Sequence, residues 1–220
     1  MTGRRSITEI AYDKLTDTIL SGALAPGARL DANVIAAREG VSPTPIRCAL
    51  NRLVGAGLLI SHAKEGFFTP ACTEQDLRDA YESVAALLGL AISSAEAAPR
   101  KKARKPDIAT ANEDAVALRT ERAFRDIMAL CGNRRLLHAF DSVNPHLRPA
   151  RHLEMHWIPN APSELGRICE ARDSLDFAEL KKRIDAYHRR RIRLVREIVA
   201  HMHASDKHAL LDPASGVDES

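Results

Sequence analysis

The sequence predicts a mostly α-helical chain in two parts. A small N-terminal domain of three helices and a β-hairpin comes first, and an all-helical bundle comes second. Three observations carry this expectation. Only 4% of the 220 residues are aromatic, and runs of Val, Ile and Thr are short, which leaves little material for sheets. Apolar residues recur at intervals of three and four along most of the chain. The one departure is a short region after Gly57, where two β-type runs flank a turn.

Taken in order, "ITEIAYDKLTDTILSGAL" sets Ile7, Ile10, Ala11, Leu15, Ile19 and Leu20 on one helical stripe that ends at Gly22. "APGARL" is a turn punctuated by Pro26 and Gly27. Asp31 caps a second short helix from Ala32 to Glu39 with Val34 and Ile35 inward, and Gly40 and Val41 break it. Ser42 is the cap and Pro43 the first residue of a third helix. Its Ile46, Ala49, Leu50 and Leu53 form a core stripe, and its other face carries Thr44, Arg47, Asn51 and Arg52. Residues 58–62 and 67–69 make a hairpin about a turn at 63–66. Two short helices joined by a tight turn, a preceding helix and a small hairpin add up to a winged helix-turn-helix, complete by residue 72.

From Thr73 the pattern becomes helical throughout. Thr73 caps a long helix with Leu77, Tyr81, Val84, Leu87 and Leu88 inside, and "PRKKARKPD" interrupts it as a basic exposed loop. Further helices are expected over 108–130, 134–156, 163–172 and 177–203. The expected domains are 1–72, a winged-helix DNA-binding domain; 73–208, an effector-binding and dimerisation bundle; and 209–220, a disordered tail.

Composition narrows the function. The formal net charge of +3 permits an anionic partner without demonstrating one. Cys48, Cys72, Cys131 and Cys169 are far apart, with no C-x-x-C pair, so they read as free thiols of a reducing compartment. The first residues lack an apolar leader, and no run approaches the ~18 apolar residues of a membrane span. A cytoplasmic protein that does not contact a membrane is the expectation. There is no nucleophile elbow, P-loop or H-E-x-x-H, so an enzyme is not expected.

The third helix suits a duplex on physical grounds. Its first turns would meet the major groove, where backbone N–H groups and the helix dipole favour phosphate. Thr44, Arg47 and Asn51 fall on one face; arginine takes guanine bidentately and asparagine takes adenine. Lys64 at the wing tip and Arg4 and Arg5 near the N-terminus suit phosphates, which position the protein without specifying sequence.

Several motifs coincide in sequence order: P-G-x-R-L at 26–30, V-S-x-T-P-I-R at 41–47, A-L-x-R-L at 49–53, G-L-L, and a wing glycine at Gly66. Together they resemble the winged-helix domain of GntR-type bacterial transcription regulators. The helical remainder is similar to the FCD ligand-binding domain of the FadR subfamily, through "ERAFRDIMALCGNRRLL" at 121–137. The resemblance implies a homodimer that binds an inverted-repeat operator on double-stranded DNA. It implies a repressor controlled by a small metabolite. Carried over by position, the DNA-contacting residues are Arg29, Thr44, Arg47 and Gly66, to which the residues themselves add Asn51, Arg52 and Lys64. Where the family usually has an arginine, this chain has Pro43, which puts the usual operator sequence in question.

Many FCD domains hold a divalent metal with an aspartate and three histidines. Here Glu121 stands for the aspartate, Arg125 for the first histidine and Leu165 falls near the second; only His188 matches the third. One histidine and one carboxylate are too few ligands, so no metal cofactor is expected. His152 and His156, four apart, would share a helix face as a solvated or core-edge pair, and His201, His203 and His208 are expected to have no role. Glu121, Arg125, His188 and Arg191 are instead expected to line an effector pocket with a cationic end and an apolar wall that includes Val84 and Leu88, suited to an organic acid. Two alternatives stay open: a DNA-binding dimer without effector response, and a helical enzyme using His and carboxylate chemistry.

Overall fold

The computed structural model describes residues 6–97 and 113–204. Arg4 and Arg5, the basic stretch at 99–107, the expected helix start at 108, His208 and the expected tail at 209–220 lie outside the described residues. The chain divides into two compact units, one of Met1–Cys72 together with Ala200–Ser220 and one of Thr73–Val199.

The first unit is a winged helix-turn-helix. Helix α1 (Ile7–Leu20) starts with a capping box in which Ser6 and Glu9 satisfy each other's backbone N–H groups. Helix α2 (Ala32–Glu39) is capped by Asp31, whose carboxylate accepts from the N–H groups of Asn33 and Val34, and it stops at Gly40 in the left-handed region. Helix α3 (Pro43–Gly55) buries Ile46, Ala49, Leu50 and Leu53, as its periodicity requires. These residues share one core with Ile19, Leu20, Leu24, Leu30, Ile35, Leu58 and Leu59. At the other end of the α1 stripe, Ile7 and Ile10 stay more than half exposed. They line an open apolar groove of about 730 Å³ with Leu15, Val34 and Ile35, spanned by the Lys14–Glu39 ion pair at 2.6 Å.

The sheet has three strands, not two. Strands β2 (Ile60–His62) and β3 (Gly66–Phe68) form the expected hairpin, and β1 (Arg29–Leu30) adds to the free edge of β3, giving the antiparallel order β1-β3-β2. Arg29 pairs with Phe68 and Leu30 with Phe67. Buried Thr69 ties this edge to the preceding turn: its hydroxyl donates to Ala25 O at 2.7 Å and accepts from Ala28 N–H at 2.8 Å. A two-residue strand has no period of its own, so β1 was not legible as a strand.

The second unit is a helical bundle. Helix α4 (Glu74–Glu96) starts at a Thr73–Asp76 capping box and buries Leu77, Tyr81, Val84, Leu88, Ala91 and Ile92; Leu87 is only half-buried. Helix α5 (Glu113–Leu130) contributes Phe124, Ile127 and Met128 to the core. The single helix expected over 134–156 is instead four pieces: α6 (Arg134–Val143), a 3-10 turn at Asn144–Leu147, α7 (Arg148–Leu153) and a 3-10 turn at Glu154–His156. Pro145 and Pro149 sit in the first turns of the 3-10 segment and of α7, where a missing N–H does least harm. Helix α8 (Ala161–Asp173) comes next, and Leu194 divides the expected last helix into α9 (Phe177–Arg193) and α10 (Val195–Ala204).

Candidate nucleic-acid interface

The exposed face of α3 is built by two local facts. Ser42 takes the extended N-cap conformation, yet its hydroxyl makes no capping hydrogen bond. A cap bond normally goes to the N–H of the second or third helical residue, and the third is Pro45, which has none. With Pro43 also lacking a donor, the front of α3 presents the exposed Ser42 and Thr44 to whatever it meets. Behind them, burial of Ile46, Ala49, Leu50 and Leu53 turns Thr44, Arg47 and Asn51 outward along one line of the helix.

Neighbours orient the two arginines. Arg47 donates to Asn33 Oδ1 on α2 at 3.3 Å, which holds the guanidinium at the junction of α2 and α3. Arg52 turns toward α1, where its Cζ lies 4.1 Å from the centroid of the Tyr12 ring. It therefore stands apart from the Thr44–Arg47–Asn51 line, as a clamp at the side of α3. Neither Asn33 nor Tyr12 was singled out from the sequence, because both act through partners on other helices.

The wing adds a second arm. The three residues between His62 and Gly66 close the hairpin, and Lys64 at its tip has φ 70°, in the left-handed region. Lys64 is exposed. Gly66, at φ 109°, has room above it that the Arg29 side chain uses: a Cβ there would come within 3.8 Å of Arg29 Nε. Arg29 itself is 61% exposed and 3.9 Å from Asp31. His62, also exposed, rests edge-on against Phe68 with centroids 5.3 Å apart.

Charge is segregated. Residues 6–72 contain six Lys or Arg and six Asp or Glu, so placement and not total charge gives this surface its sign. Four of the six cations, Arg29, Arg47, Arg52 and Lys64, lie on α3, β1 and the wing, with only Asp31 and Glu65 among them, while α1 carries Glu9, Asp13 and Asp17 against the one cation Lys14. Such separation steers a polyanion to one face.

The four residues expected in an effector pocket part company. Arg125 is a correction: its side chain is 59% exposed and binds Asp141 bidentately at 2.9 and 3.1 Å. It faces outward because Ala123, Phe124, Ile127 and Met128 take the inward positions of α5. Glu121 is half-buried and bound by Arg148 at 2.7 and 2.8 Å. Only His188 and Arg191 reach the interior together. Arg191, 1% exposed, lies over the Tyr187 ring at 3.3 Å and is neutralised by Glu154 and Glu164, each at 2.7 Å. Tyr81 donates to the other oxygen of Glu154 at 2.7 Å. Burial, with Arg151 and Arg191 nearby, holds His188 neutral by lowering its pKa to about 3, and its Nδ1 lies 2.8 Å from Ile184 O.

These positions do not fit the divalent metal of the resembled subfamily. Glu121 is committed to Arg148, Arg125 points away, Leu165 is a buried apolar residue, and His188 is left alone. Among the described residues no three His, Cys, Asp or Glu side chains are grouped to hold an ion. The expected His152–His156 pair is also divided, His152 lying in α7 and His156 in the 3-10 turn after it. His203 Nε2 lies 3.0 Å from Cys72 O.

Residues 7–69 match the sequence profile of the family described as bacterial regulatory proteins, gntR family. The chain is 44% identical over 57 residues to the Nta operon transcriptional regulator of Aminobacter aminovorans, covering 26% of this chain and 27% of that protein. It is 34% identical over 71 residues to the HTH-type transcriptional regulator YdhC of Bacillus subtilis strain 168, covering 32% of each. The matched segments thus span about a third or less of these relatives. Among solved structures, a crystal structure from Rhodococcus sp. RHA1 described as a transcriptional regulator GntR superposes with a TM-score of 0.63 at 19% identity, over 88% of this chain and 99% of that one. E. coli McbR/YncC gives 0.58 at 19% identity over the same shares. At that identity the likeness is one of fold.

Proposed function

We infer that this chain, whose first unit is a GntR-family winged-helix domain, is a sequence-specific DNA-binding transcription regulator. The observation that carries the reading is the joint placement of Thr44, Arg47 and Asn51 on the exposed front of α3 beside a wing bearing Lys64 and Arg29. Arg47 and Asn51 are the base readers. Arg52, stacked on Tyr12, and Arg29 and Lys64 are phosphate contacts that set register.

The reading extends to a homodimer, since two such helices related by a two-fold read an inverted repeat with half-sites about one helical turn (~34 Å) apart. The second unit takes a small organic acid as effector, which releases the operator, and the chain acts as a repressor in the cytoplasm, without membrane contact. No helix of the described residues is long and apolar enough to cross a membrane. The chain is not an enzyme in this reading: its buried polar groups serve structure and ligand recognition. Selection of bound duplexes from a random pool tests the reading. An enriched inverted repeat supports it; retention of duplexes with no common sequence refutes it.

A further inference from the structure

The cations at the end of the second unit are gathered on one surface. Residues 177–204, which hold α9 and α10, carry eight Lys or Arg and three Asp or Glu, an excess of five against +3 for the whole chain. Two of the eight are committed: Arg191 is buried between Glu154 and Glu164, and Arg183 binds Glu179 at 2.6 Å. Arg190 and Lys182 have looser partners, at 3.7 Å from Glu164 and 3.8 Å from Glu179. Lys181, Arg189, Arg193 and Arg196 are exposed and pair with no carboxylate among the described residues.

Helix geometry puts these charges in a line. Helix α9 buries Leu180, Ile184, Tyr187, His188 and Arg191, so Lys182, Ala186, Arg189 and Arg193 form its outermost row, about 16 Å long. Arg196 on α10 follows beyond the break at Leu194. A solvated helix face usually mixes signs, but this row has one sign, with Asp185 and Glu197 the only exposed carboxylates of the two helices. The helix dipole favours cations in the last turn of α9. That covers Arg190, Arg191 and Arg193, but neither Lys182 and Arg189 ahead of it nor Arg196 after it.

We propose that the outer row of α9, continued by Arg196, is a second DNA contact that binds the phosphate backbone of the duplex flanking the operator. The proposal rests on the reading of the chain as a DNA-binding regulator. Four of the six exposed cations on these helices are arginines, whose planar fork matches phosphate oxygens. The row offers no aromatic or large aliphatic anchor, as a protein partner or a lipid surface would require. A two-fold contact of the row with a second copy of itself would set like charges face to face. Duplex held by the first unit is instead present at high effective concentration for the unit that follows it at Thr73.

Fluorescence anisotropy of the full chain tests this on two duplexes. One holds only the enriched inverted repeat, and the other extends it on each side by about two helical turns of unrelated sequence. The flanks should tighten binding about tenfold at physiological salt. They should also steepen the slope of log K against log salt by about 3 to 5, since Arg189, Arg193 and Arg196 of two copies offer six further contacts. Arg189→Gln, Arg193→Gln and Arg196→Gln together should abolish both gains and leave short-duplex binding and the melting temperature as in wild type. The corresponding lysine variant should keep the steeper slope, and Arg47→Ala should weaken both duplexes yet retain the gain from the flanks. Equal affinity and slope on the two duplexes, a glutamine variant that keeps the flank gain, or one that weakens the short duplex as much as the long would each overturn the proposal. So would row-dependent binding to phosphatidylglycerol vesicles or to polyglutamate with no effect of the flanks. Specific binding indifferent to the flanks sinks this proposal alone, whereas no preference for the inverted repeat sinks the reading beneath it.

Discussion

Arg47→Ala separates recognition from stability at a single position. Arg47 is exposed, and its one hydrogen bond, to exposed Asn33, is long at 3.3 Å. Truncation should cost the free protein about 0.5 kcal/mol or less. On DNA the same side chain would lose a bidentate contact to guanine, about 1–3 kcal/mol, or roughly 5- to 150-fold in affinity. The loss should fall on one base pair of each half-site, where the variant tolerates all four bases. Asn33→Ala should produce a weaker form of the same defect, because it frees the guanidinium without removing it. Fluorescence anisotropy against operators substituted at each position provides the test. A loss spread evenly over all sequences would make Arg47 a phosphate contact and refute its assignment as a reader.

Lys64→Gly should act in opposite directions on folding and binding: relief of the left-handed conformation at φ 70° stabilises by about 1 kcal/mol, while DNA affinity falls on every sequence, as urea titration and anisotropy would show. Thr69→Val keeps shape but breaks the bonds to Ala25 O and Ala28 N–H, costing about 2–4 kcal/mol in the unfolding of the first unit. His188 takes up a proton less readily when folded, with its pKa lowered to about 3, so the unfolded chain binds more protons below the ordinary histidine value of about 6.5. Its contribution to stability is therefore full above pH 6.5 and declines from there toward pH 3, by up to about 1.4 kcal/mol per pH unit. His188→Gln should flatten that part of the stability–pH curve, and an unchanged curve would count against a neutral buried imidazole.

The first unit was legible because its signals are local. Asp31, Ser42, Pro43 and Gly40 mark helix ends within a few residues, and Ile46, Ala49, Leu50 and Leu53 repeat at helical spacing. Strand β1 was not, since Arg29 and Leu30 become a strand only by pairing with Phe68 and Phe67 far along the chain. The bundle interior was legible in composition but not in phase. Carrying one helical period from Arg134 to His156 ignores the breaks around Pro145 and Pro149, and each break rotates the residues beyond it. Arg151 was missed for that reason, although Leu147, Ala150 and Glu154 around it are all buried. Arg125 was misplaced for a different one: its position came from the alignment of a motif, while Phe124 and Met128 decide which way α5 faces.

The salt dependence of operator binding by the purified full chain tests the central claim most directly. Arg29, Arg52 and Lys64 as phosphate contacts give three per copy and six in a dimer. The slope of log K against log salt should therefore be about −5, or steeper where Arg4 and Arg5 add contacts, on a duplex with two inverted half-sites. Stoichiometry should be two chains per duplex, and a duplex with one half-site scrambled should bind far more weakly at the same salt. A slope near zero, or equal affinity for the intact and scrambled duplexes, would contradict the account.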